Sequence, residues 1–538
     1  MSKLRTLHPL LLSLLSGLLF WLAWTPNSFP FLVFFAFIPL FLIVDKAKNG
    51  YQFFIYTYLG LFCWNLFTTW WIWNASMIGA WLAILVNSLL MMLPWWGYRK
   101  AKQYGSPFFA LSAFILFWLS FEFLHQLDWG LSWPWLTLGN IFANRISWIQ
   151  WYEWTGTAGG SLWILLVNIS LYLLYLHRAE QKKLRREILL LIGLLLFPIG
   201  ISLLVEKREI QTQAQQSKAG IQQRVVIVQP NIDPYEKLNT LDLEAQCNRL
   251  VKLSEKSIDS NTHLLLWPET ALYSGGGIDE NNLQSLAELQ PVRNLLQQYP
   301  RLHLLTGIES YRVFSERNSL YARPIDNTGN YYELYNGALL TTHADSLQFY
   351  HKSMLVPGVE TLPRFLLFMA PLFEKMGGTA GGYARQEKRI PLPLKNDLLI
   401  APAICYESIY GDFLRQYIQR GANVIAIITN DGWWGNTPGY QQHQAYARLR
   451  AIETRKWVLR SANTGVSCFI NPLGNITQQS EWWTPATLVQ NIEADNRKTF
   501  FVRYGDLIGK YALLFSLILI LRLIQLRFNR KQHSSSSK

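Results

Sequence analysis

Eight long apolar runs constrain what this chain can fold into more than any other feature of its sequence. Seven lie between about Leu10 and Val205, and the eighth extends from Ile508 to about Leu526. Because a helix needs about 20 apolar residues to cross a bilayer, each run predicts one membrane-spanning helix. The first run is as short as a signal peptide, but TPNSFP is a poor cleavage site and a second run follows at once, so we interpret it as a spanning helix. The runs read LLLSLLSGLLFWLAW, FPFLVFFAFIPLFLIV, FFIYTYLGLFCWNLFTTWWIW, IGAWLAILVNSLLMMLPWW, PFFALSAFILFWLSFEFL, GSLWILLVNISLYLLYL, ILLLIGLLLFPIGISLLV and IGKYALLFSLILILRLIQL.

Lysine and arginine residues are concentrated on alternate joints between these runs. The joints TPNS and NASM carry none, and the long joint 126–160 carries only Arg145. Since positive residues mark the cytoplasmic side, we expect both termini in the cytoplasm and the long polar segment outside, which in a bacterium is the periplasm. Much of the net charge of +14 is then explained by the basic residues on the joints predicted to be cytoplasmic, and it gives no reason to expect a nucleic-acid partner. The basic residues concerned are Lys3, Arg5, Lys46, Lys48, Arg99, Lys100, Lys102, Arg178, Lys182, Lys183, Arg185, Arg186, Arg527, Arg530 and Lys531.

The polar segment between the seventh and eighth runs has the composition of a soluble domain. We therefore expect a membrane domain of about seven helices at 1–205, a soluble domain at 206–505, and a last spanning helix with a basic tail at 506–538. Within the soluble part, apolar β-rich runs such as RVVIVQPNI and NVIAIITNDGWWG alternate with amphipathic helical stretches. This alternation predicts an α/β fold built from layers of helix and sheet.

The cysteines and histidines give little sign of a metal site. The four cysteines are Cys63, Cys247, Cys405 and Cys468, with no CxxC pair and no Cys/His cluster at zinc spacing. Cys247 falls in a predicted helix and Cys468 in a predicted strand, where both are expected to be structural, although the two could also pair as a disulfide. His351 and His443 are expected to be satisfied or surface histidines rather than ligands.

Reactive side chains follow three of the predicted strands. LLLWPET ends with Glu269, LLIAPAIC ends with Cys405, and VIAIITND ends with Asn430 and Asp431. In open α/β sheets, active groups gather beyond the carboxyl ends of the strands. The loop FYHKSMLVPGVE adds Lys352 and Glu360.

These residue types together can perform acyl transfer. A thiolate is a strong nucleophile, but a free cysteine is mostly protonated near neutral pH and needs a base such as a carboxylate. An ammonium group and the backbone N–H after the cysteine can stabilise the oxyanion formed at the attacked carbonyl. Glu269 would then be the base, Lys352 the oxyanion stabiliser and Cys405 the nucleophile. Each residue also has a simpler interpretation: a packed small side chain for the cysteine, a cap for the glutamate and a solvated charge for the lysine.

Four short sequence pieces, which occur in a fixed order, narrow the set of protein families that the chain resembles. WPET, YHKSMLVPGVE, ICYES and NDGWWG follow the order found in the nitrilase superfamily, which the soluble segment therefore resembles. With membrane helices on both sides, nearly the full chain resembles the apolipoprotein N-acyltransferase family, including LSWPWLTLGN and HQAYARLRAIETRKWVLRSANTGVS. The resemblance implies an αββα sandwich with a Glu–Lys–Cys triad, attached to a multi-pass helical membrane domain of about eight helices in all.

The resemblance also implies roles for individual residues. Glu269 matches the general base, Lys352 the triad lysine and Cys405 the nucleophile. The supporting positions are Glu360, Tyr406 and Glu407, and the candidates for a lid or a lipid contact are Trp433 and Trp434. The alternative for the tryptophans is an ordinary interfacial belt.

The implied reaction joins two lipid-anchored substrates. The cysteine would take the sn-1 acyl chain of a phospholipid such as phosphatidylethanolamine as a thioester. It would pass the chain to the α-amino group of the N-terminal S-diacylglyceryl-cysteine of an apolipoprotein, with no metal or organic cofactor. One alternative is a membrane-bound nitrilase-type amidase that uses water as the acceptor. Another is a transporter or scaffold with a non-catalytic outer domain. Against a transporter, the predicted spans carry no run of ionisable residues of the kind that transport paths use, and Glu122 is the main exception.

Overall fold

A computed structural model describes most of the chain and divides it into two compact units. The described residues are 7–27, 29–177, 180–219, 222–239, 242–326, 328–343, 346–361, 382–394 and 398–536, so the basic residues Lys3, Arg5 and Arg178 lie outside them. One unit, called here the helical unit, comprises Met1–Trp70, Ala80–Val205 and Tyr504–Lys538. The other, the α/β unit, comprises Glu206–Arg503 together with the short segment Trp71–Gly79.

All eight predicted apolar runs form helices, and five of these helices are long and apolar enough to span a membrane. The five are Met77–Tyr104, Pro107–His125, Thr157–Leu176, Lys183–Gln215 and Leu507–Arg530. The multi-pass helical character predicted from the sequence is therefore confirmed. The described α-helices that lie wholly or partly in the helical unit, together with Ile72–Ala75 of the segment Trp71–Gly79, have the bounds Pro9–Ala23, Val33–Ala36, Ile38–Lys46, Gly50–Thr69, Ile72–Ala75, Met77–Leu90, Met92–Tyr104, Pro107–His125, Tyr152–Thr155, Thr157–Leu176, Gln181–Ala219 and Leu507–Ser536.

The other three runs form shorter or less apolar helices, for reasons visible in their sequences. The first gives a helix of 15 residues, Pro9–Ala23. The second is divided into short pieces, with prolines Pro30 and Pro39 in the first turn of two of them, because proline lacks the N–H that would continue a preceding helix. The third gives Gly50–Thr69, whose 20 residues include several polar side chains.

The helical unit has an aromatic core, and the buried Glu122 is hydrogen-bonded within the unit. Phe37 packs against Trp64, Trp95 and Trp118 with ring centroids 4.8 to 6.4 Å apart. Glu122 Oε1 accepts hydrogen bonds of 2.9 Å from Trp118 Nε1 and from the backbone N–H of Leu138. Glu122 therefore anchors the joint that follows its helix. The 3₁₀ helices of that joint are Pro134–Leu136, Leu138–Asn144 and Ile146–Trp148.

The described part of the α/β unit contains fourteen strands in two sheets. The first sheet has the order β14-β1-β2-β4-β6-β5, with β3 beside β4 and β7 beside β6; the second has the order β13-β12-β11-β10-β9-β8. Strands β1, β2 and β4 are parallel in the first sheet, as are β9, β10 and β11 in the second. The strands are β1 Gln222–Gln229, β2 Thr262–Leu266, β3 Ile278–Asp279, β4 His303–Phe314, β5 Arg323–Pro324, β6 Tyr331–Thr341, β7 Gln348–His351, β8 Leu392–Pro393, β9 Leu399–Ile404, β10 Val424–Thr429, β11 Trp457–Ala462, β12 Cys468–Ile470, β13 Ile476–Gln479 and β14 Ala486–Glu493.

The two sheets are joined directly, and helices cover their other faces. Ser461 Oγ on β11 donates a 2.9 Å hydrogen bond to the Val228 carbonyl on β1. Helices Leu243–Ser254 and Gln290–Gln298 bury apolar faces in the core of the first sheet. On the second sheet, Gly411–Gln419 packs on β9 and Pro438–Thr454 packs on β11. This confirms the predicted αββα sandwich. The remaining helices are Pro234–Asn239 and Phe500–Tyr504 and the 3₁₀ helices Leu283–Ser285, Ala287–Leu289, Cys405–Ile409 and Asp431–Trp434.

Candidate active site

Cys405 stands at a sharp turn where strand β9 ends. Strand β9 stops at Ile404, and the 3₁₀ helix Cys405–Ile409 begins at once. The backbone of Cys405 has φ = 52°, a left-handed conformation that costs a non-glycine residue of order 1–2 kcal/mol. Ser408 Oγ donates a 2.8 Å hydrogen bond to the Cys405 carbonyl and stabilises the turn. The side chains on either side of Cys405 are buried, whereas Cys405 itself is partly exposed.

The structure brings Lys352 together with Glu269 and Glu360. Lys352 Nζ lies 2.7 Å from Glu360 Oε1 and 3.5 Å from Glu269 Oε1, and its side chain is only 1% exposed. Burial alone would lower the pKa of Lys352, but Glu360, Glu269 and Cys405 outweigh it and raise this pKa well above its ordinary value. The lysine is therefore a fixed positive charge between two carboxylates.

The charges of Glu269 and Lys352 also act on the thiol of Cys405. Burial raises the pKa of the Cys405 thiol well above its ordinary value, the charge of Glu269 raises it further, and the ammonium of Lys352 lowers it. The resting thiol is consequently neutral near pH 7. A base must take its proton before the sulfur can attack, and Glu269 is a carboxylate close enough to influence that proton.

Glu269 is oriented by one donor from strand β6 and one from the residue that follows strand β10. Its Oε1 accepts a 2.8 Å hydrogen bond from Asn336 Nδ2, and its Oε2 accepts a 3.0 Å bond from the backbone N–H of Asn430. Gly307 makes room for this segment, because a Cβ at Gly307 would lie 2.4 Å from the backbone nitrogen of Thr270. Sequence reasoning identified the end of β10 as a site element through Asn430 and Asp431, but did not give Asn430 this contact.

Asn336 is a site residue that the sequence analysis missed. Besides Glu269, its side-chain amide donates to Glu360 Oε1 at 3.1 Å, and its backbone carbonyl oxygen accepts from the backbone N–H of Lys352 at 2.9 Å. Asn336 therefore links Glu269, Glu360 and Lys352. The available signal was a single amide inside YYELYNGALL, since a buried polar side chain in a strand needs partners.

Glu407 joins the cysteine turn to the lysine loop. Its Oε2 accepts from the Ile404 N–H at 2.8 Å, while Oε1 accepts from the N–H groups of Ser353 and Met354, the two residues after Lys352, at 2.6 and 3.0 Å. Tyr350 adds a hydroxyl donor at 2.6 Å. Burial raises the pKa of Glu407, and these donors oppose the increase. One side chain thus sets the spacing between Cys405 and Lys352.

The remaining supporting residues behave differently from one another. Glu360 fixes its own loop as well as Lys352, because its Oε2 accepts a 2.8 Å hydrogen bond from the Val356 N–H. Tyr406 is 3% exposed, and its ring packs edge-on against Tyr410 with centroids 5.3 Å apart. Tyr406 is therefore placed to position the turn by packing.

The tryptophan loop after β10 is half-buried and is held from two sides. The Trp433 ring packs edge-on against Tyr235, with centroids 5.4 Å apart. The Trp434 ring meets Trp71 at 4.9 Å, and Asn74 Nδ2 donates a 2.8 Å hydrogen bond to the Trp434 carbonyl. Both Trp434 contacts come from the segment Trp71–Gly79, whose residues the sequence analysis assigned to the end of the third apolar run, the joint NASM and the start of the fourth run.

The other histidines and cysteines are accounted for within the protein. His351 Nε2 lies 2.6 Å from Glu280 Oε1, and the ring stacks on Tyr335. His443 is fully buried and hydrogen-bonded. Cys247 and Cys468 are both free thiols, so the disulfide considered from the sequence is not formed. In the described ranges, no three or more His, Cys, Asp or Glu side chains form a group that could hold a metal ion.

Two family models and several nearly full-length relatives match this chain. The carbon–nitrogen hydrolase family model matches residues 224–499, and the model of the apolipoprotein N-acyltransferase N-terminal domain matches residues 16–170. An apolipoprotein N-acyltransferase of Chlorobaculum tepidum is 29% identical over 515 residues, 93% of each chain. Apolipoprotein N-acyltransferase 1 of Treponema denticola is 26% identical, over 97% of this chain and 96% of its own.

Among solved structures, Nit3 of Saccharomyces cerevisiae, a member of the nitrilase superfamily, is 15% identical with a TM-score of 0.36. The match covers 51% of this chain and 90% of the yeast protein. The family model for carbon–nitrogen hydrolases spans just over half of the sequence, from β1 to beyond β14, and includes every residue of the cluster described above. The chain therefore belongs to the carbon–nitrogen hydrolase family.

Proposed function

We propose that this chain is an acyltransferase that completes the maturation of bacterial lipoproteins. It transfers the sn-1 acyl chain of a membrane phospholipid to the α-amino group of the N-terminal S-diacylglyceryl-cysteine of an apolipoprotein. The observation that carries the proposal is the Glu269–Lys352–Cys405 cluster, in a chain that also has spanning helices and a matching N-terminal family model. Relatives named apolipoprotein N-acyltransferase share nearly its full length.

In the first half-reaction, the acyl chain moves from oxygen to sulfur. Glu269 takes the proton from Cys405, and Sγ attacks the sn-1 ester carbonyl. Lys352 and the backbone N–H of Tyr406 stabilise the oxyanion. When the intermediate collapses, the C–O bond breaks and the lysophospholipid oxygen receives the proton from Glu269. A thioester on Cys405 remains.

In the second half-reaction, the neutral α-amine of the acceptor attacks the thioester carbonyl. Glu269 takes a proton from the attacking nitrogen as the C–N bond forms, and the C–S bond then breaks. Glu269 gives this proton to the leaving sulfur, so Glu269 and Cys405 both return to their starting states and the product is an amide. Water has to be kept away from the thioester throughout, because hydrolysis would waste the acyl chain. Trp433 and Trp434 supply apolar surface beside the turn for this purpose.

Both substrates are anchored in a bilayer, which fits an integral membrane enzyme. We place the catalytic domain, 206–505, in the periplasm, with the helices of 1–205 and 506–538 in the inner membrane and both termini in the cytoplasm. The alternation of basic joints supports this orientation. The partners of the chain are then a phosphatidylethanolamine-like donor and a diacylglyceryl-apolipoprotein acceptor.

Intact-mass spectrometry of the purified chain tests the proposal. After incubation with phosphatidylethanolamine, we expect a fatty-acyl adduct that maps to Cys405 and is absent from Cys405→Ser and Glu269→Gln. A matched control, Cys247→Ser, should retain the adduct, because Cys247 is buried in the helix Leu243–Ser254.

The acceptor is tested with two matched peptides. A diacylated lipopeptide with a free α-amine should clear the adduct and gain its mass, whereas the same peptide with an acetylated amine should not. Clearance at equal rates with both peptides or with buffer alone would identify a hydrolase instead. No adduct with any phospholipid would contradict acyl transfer altogether.

A further inference from the structure

A buried charged network lies directly behind the cysteine turn and has no role in the reaction described above. Its members are Asp431 after β10, His443 in the helix Pro438–Thr454 and Arg460 on β11, and none of the three side chains is exposed to solvent. Arg460 Nη2 lies 2.5 Å from Asp431 Oδ2. Burial would raise the pKa of Asp431, but Arg460 and His443 outweigh it and hold this pKa well below its ordinary value.

His443 connects this network to the backbone of Cys405. Its Nδ1 lies 3.0 Å from Asp431 Oδ1, and its Nε2 lies 3.1 Å from the carbonyl oxygen of Cys405 and 2.9 Å from Ser408 Oγ. A carbonyl oxygen can only accept, so the contact with Cys405 requires a hydrogen on Nε2. The two ring nitrogens thus join a fixed carboxylate to the peptide that carries the thiol.

The position of that peptide matters because the Cys405 backbone is strained. Its left-handed φ of 52° holds only where neighbouring groups determine it. Rotation of the Cys405 peptide would move Sγ relative to Glu269 and Lys352, and a misplacement of about 1 Å can cost about 10²-fold in rate. The side chains of His443 and Ser408 both contact the carbonyl oxygen of Cys405, which such a rotation would move.

The same histidine also contacts the tryptophan loop. The Trp434 ring packs edge-on against the imidazole with centroids 5.5 Å apart. Asp431, which bonds the other side of the ring, precedes Trp434 by three residues and lies in the same 3₁₀ helix. His443 therefore contacts the nucleophile turn and the tryptophan loop at once.

We propose that His443 is a positioning residue that fixes the Cys405 peptide in its reactive orientation through Nε2, with Asp431 orienting the ring. The inference rests on the proposed function in that Cys405 is taken as the nucleophile. It assigns His443 no contact with substrate and no proton transfer in the reaction. It predicts that the Nε2 contact, and not merely a polar side chain of similar size, is what the reaction requires.

Two substitutions separate the ring nitrogens. In His443→Gln, the side-chain amide reaches the position of Nε2 and keeps the contact with Cys405. In His443→Asn, it reaches the position of Nδ1 and keeps only the contacts with Asp431 and Arg460. His443→Leu removes all of these contacts. His303→Gln is the matched control, since His303 is also buried and bonds backbone carbonyls of the first sheet.

The measurement is the rate of acyl-adduct formation in the full-length chain as phosphatidylethanolamine is varied. We expect His443→Leu and His443→Asn to lower the maximal rate about 10²-fold with little change in the KM for phospholipid. His443→Gln should stay within about tenfold of the wild type, and His303→Gln should match it. Equal losses in Gln and Asn, a change in KM alone, or a loss that follows the thermal midpoints of the variants would overturn the inference.

Alkylation of Cys405 by iodoacetamide distinguishes the two proposals, because it needs no lipid. If the wild type forms no acyl adduct but His443→Leu still alkylates more slowly than His443→Gln, the positioning inference stands and acyl transfer fails. If the wild type forms the adduct and His443→Leu changes neither rate, acyl transfer stands and the positioning inference fails.

Discussion

At the scale of single residues, the protonation of Cys405 gives a prediction with a definite sign. Burial and Glu269 raise the pKa of this thiol, so in the folded chain its thiolate is scarce at neutral pH and increases as the pH rises. We expect the rate of alkylation by iodoacetamide to climb without a plateau between pH 7 and about 9.5. In the denatured chain the same cysteine should level off above its ordinary pKa of about 8.5.

Cys247 is the internal control for this measurement. Burial raises its pKa to about 12, with a smaller contribution from Glu244, and its side chain is inaccessible in the folded chain. Peptide mapping should find alkylated Cys247 only after denaturation. A plateau for folded Cys405 near pH 7 would contradict the prediction, since it would mean a stable thiolate in the resting site.

Asn336 gives the second prediction at this scale. Asn336→Asp replaces the amide that donates to Glu269 and Glu360 with a third carboxylate facing the same lysine. Repulsion and the lost donor should slow acyl-adduct formation by about 10²–10³-fold, the range found when one electrostatic donor is removed from an active site. Asn281→Asp makes the same change of charge at an exposed position and should leave the rate of adduct formation unchanged. Equal rates for the two variants would show that the Asn336 amide does not contribute to the reaction.

At the scale of elements, Glu407 holds the end of β9 against the loop after β7. Glu407→Gln exchanges one acceptor oxygen for an NH₂ group that faces backbone donors, and leaving one buried donor unsatisfied costs about 1–3 kcal/mol. We expect a lower thermal midpoint and a rate of adduct formation reduced at least tenfold, because the spacing of Cys405 and Lys352 changes. Glu209→Gln, another buried carboxylate that pairs with Arg497, should lower the midpoint without an equal loss of rate. If Glu407→Gln and Glu209→Gln lowered the thermal midpoint and the rate of adduct formation to the same extent, Glu407 would have only a general stabilising role.

The elements also explain how much of the site could be predicted. Glu269 and Cys405 follow apolar runs directly, so the rule that active groups gather beyond parallel strands finds them from the sequence. The α/β layers follow from the alternation of strands and helices, whereas the αββα arrangement was implied by the resemblance to the nitrilase superfamily. Asn336 lies within a strand and His443 within a helix, and each reaches the cluster through pairing between elements distant in the sequence. The pairing of Trp434 with Trp71 has the same origin, since no local pattern specifies it.

At the scale of the whole molecule, the sequence predicts the number of apolar runs better than the length of each helix. Proline and polar residues inside the early runs shorten or weaken three of the eight predicted spans, as Pro39 and Asn65 illustrate. The membrane character survives because five long apolar helices remain in the described residues. The orientation of the chain depends on a separate signal, the distribution of lysine and arginine.

That orientation gives the last prediction. In a Cys405→Ala background, Asn281→Cys introduces a thiol at an exposed position of the α/β unit, and Ser534→Cys introduces one in the basic tail. Because the basic joints predict a cytoplasmic tail, we expect a membrane-impermeant maleimide to label Asn281→Cys in intact spheroplasts and Ser534→Cys only after lysis. The unaltered Cys405→Ala chain measures background from the three other cysteines. Labelling of the tail in intact spheroplasts would invert the topology and put the triad on the wrong side for an acceptor that matures outside the cytoplasm.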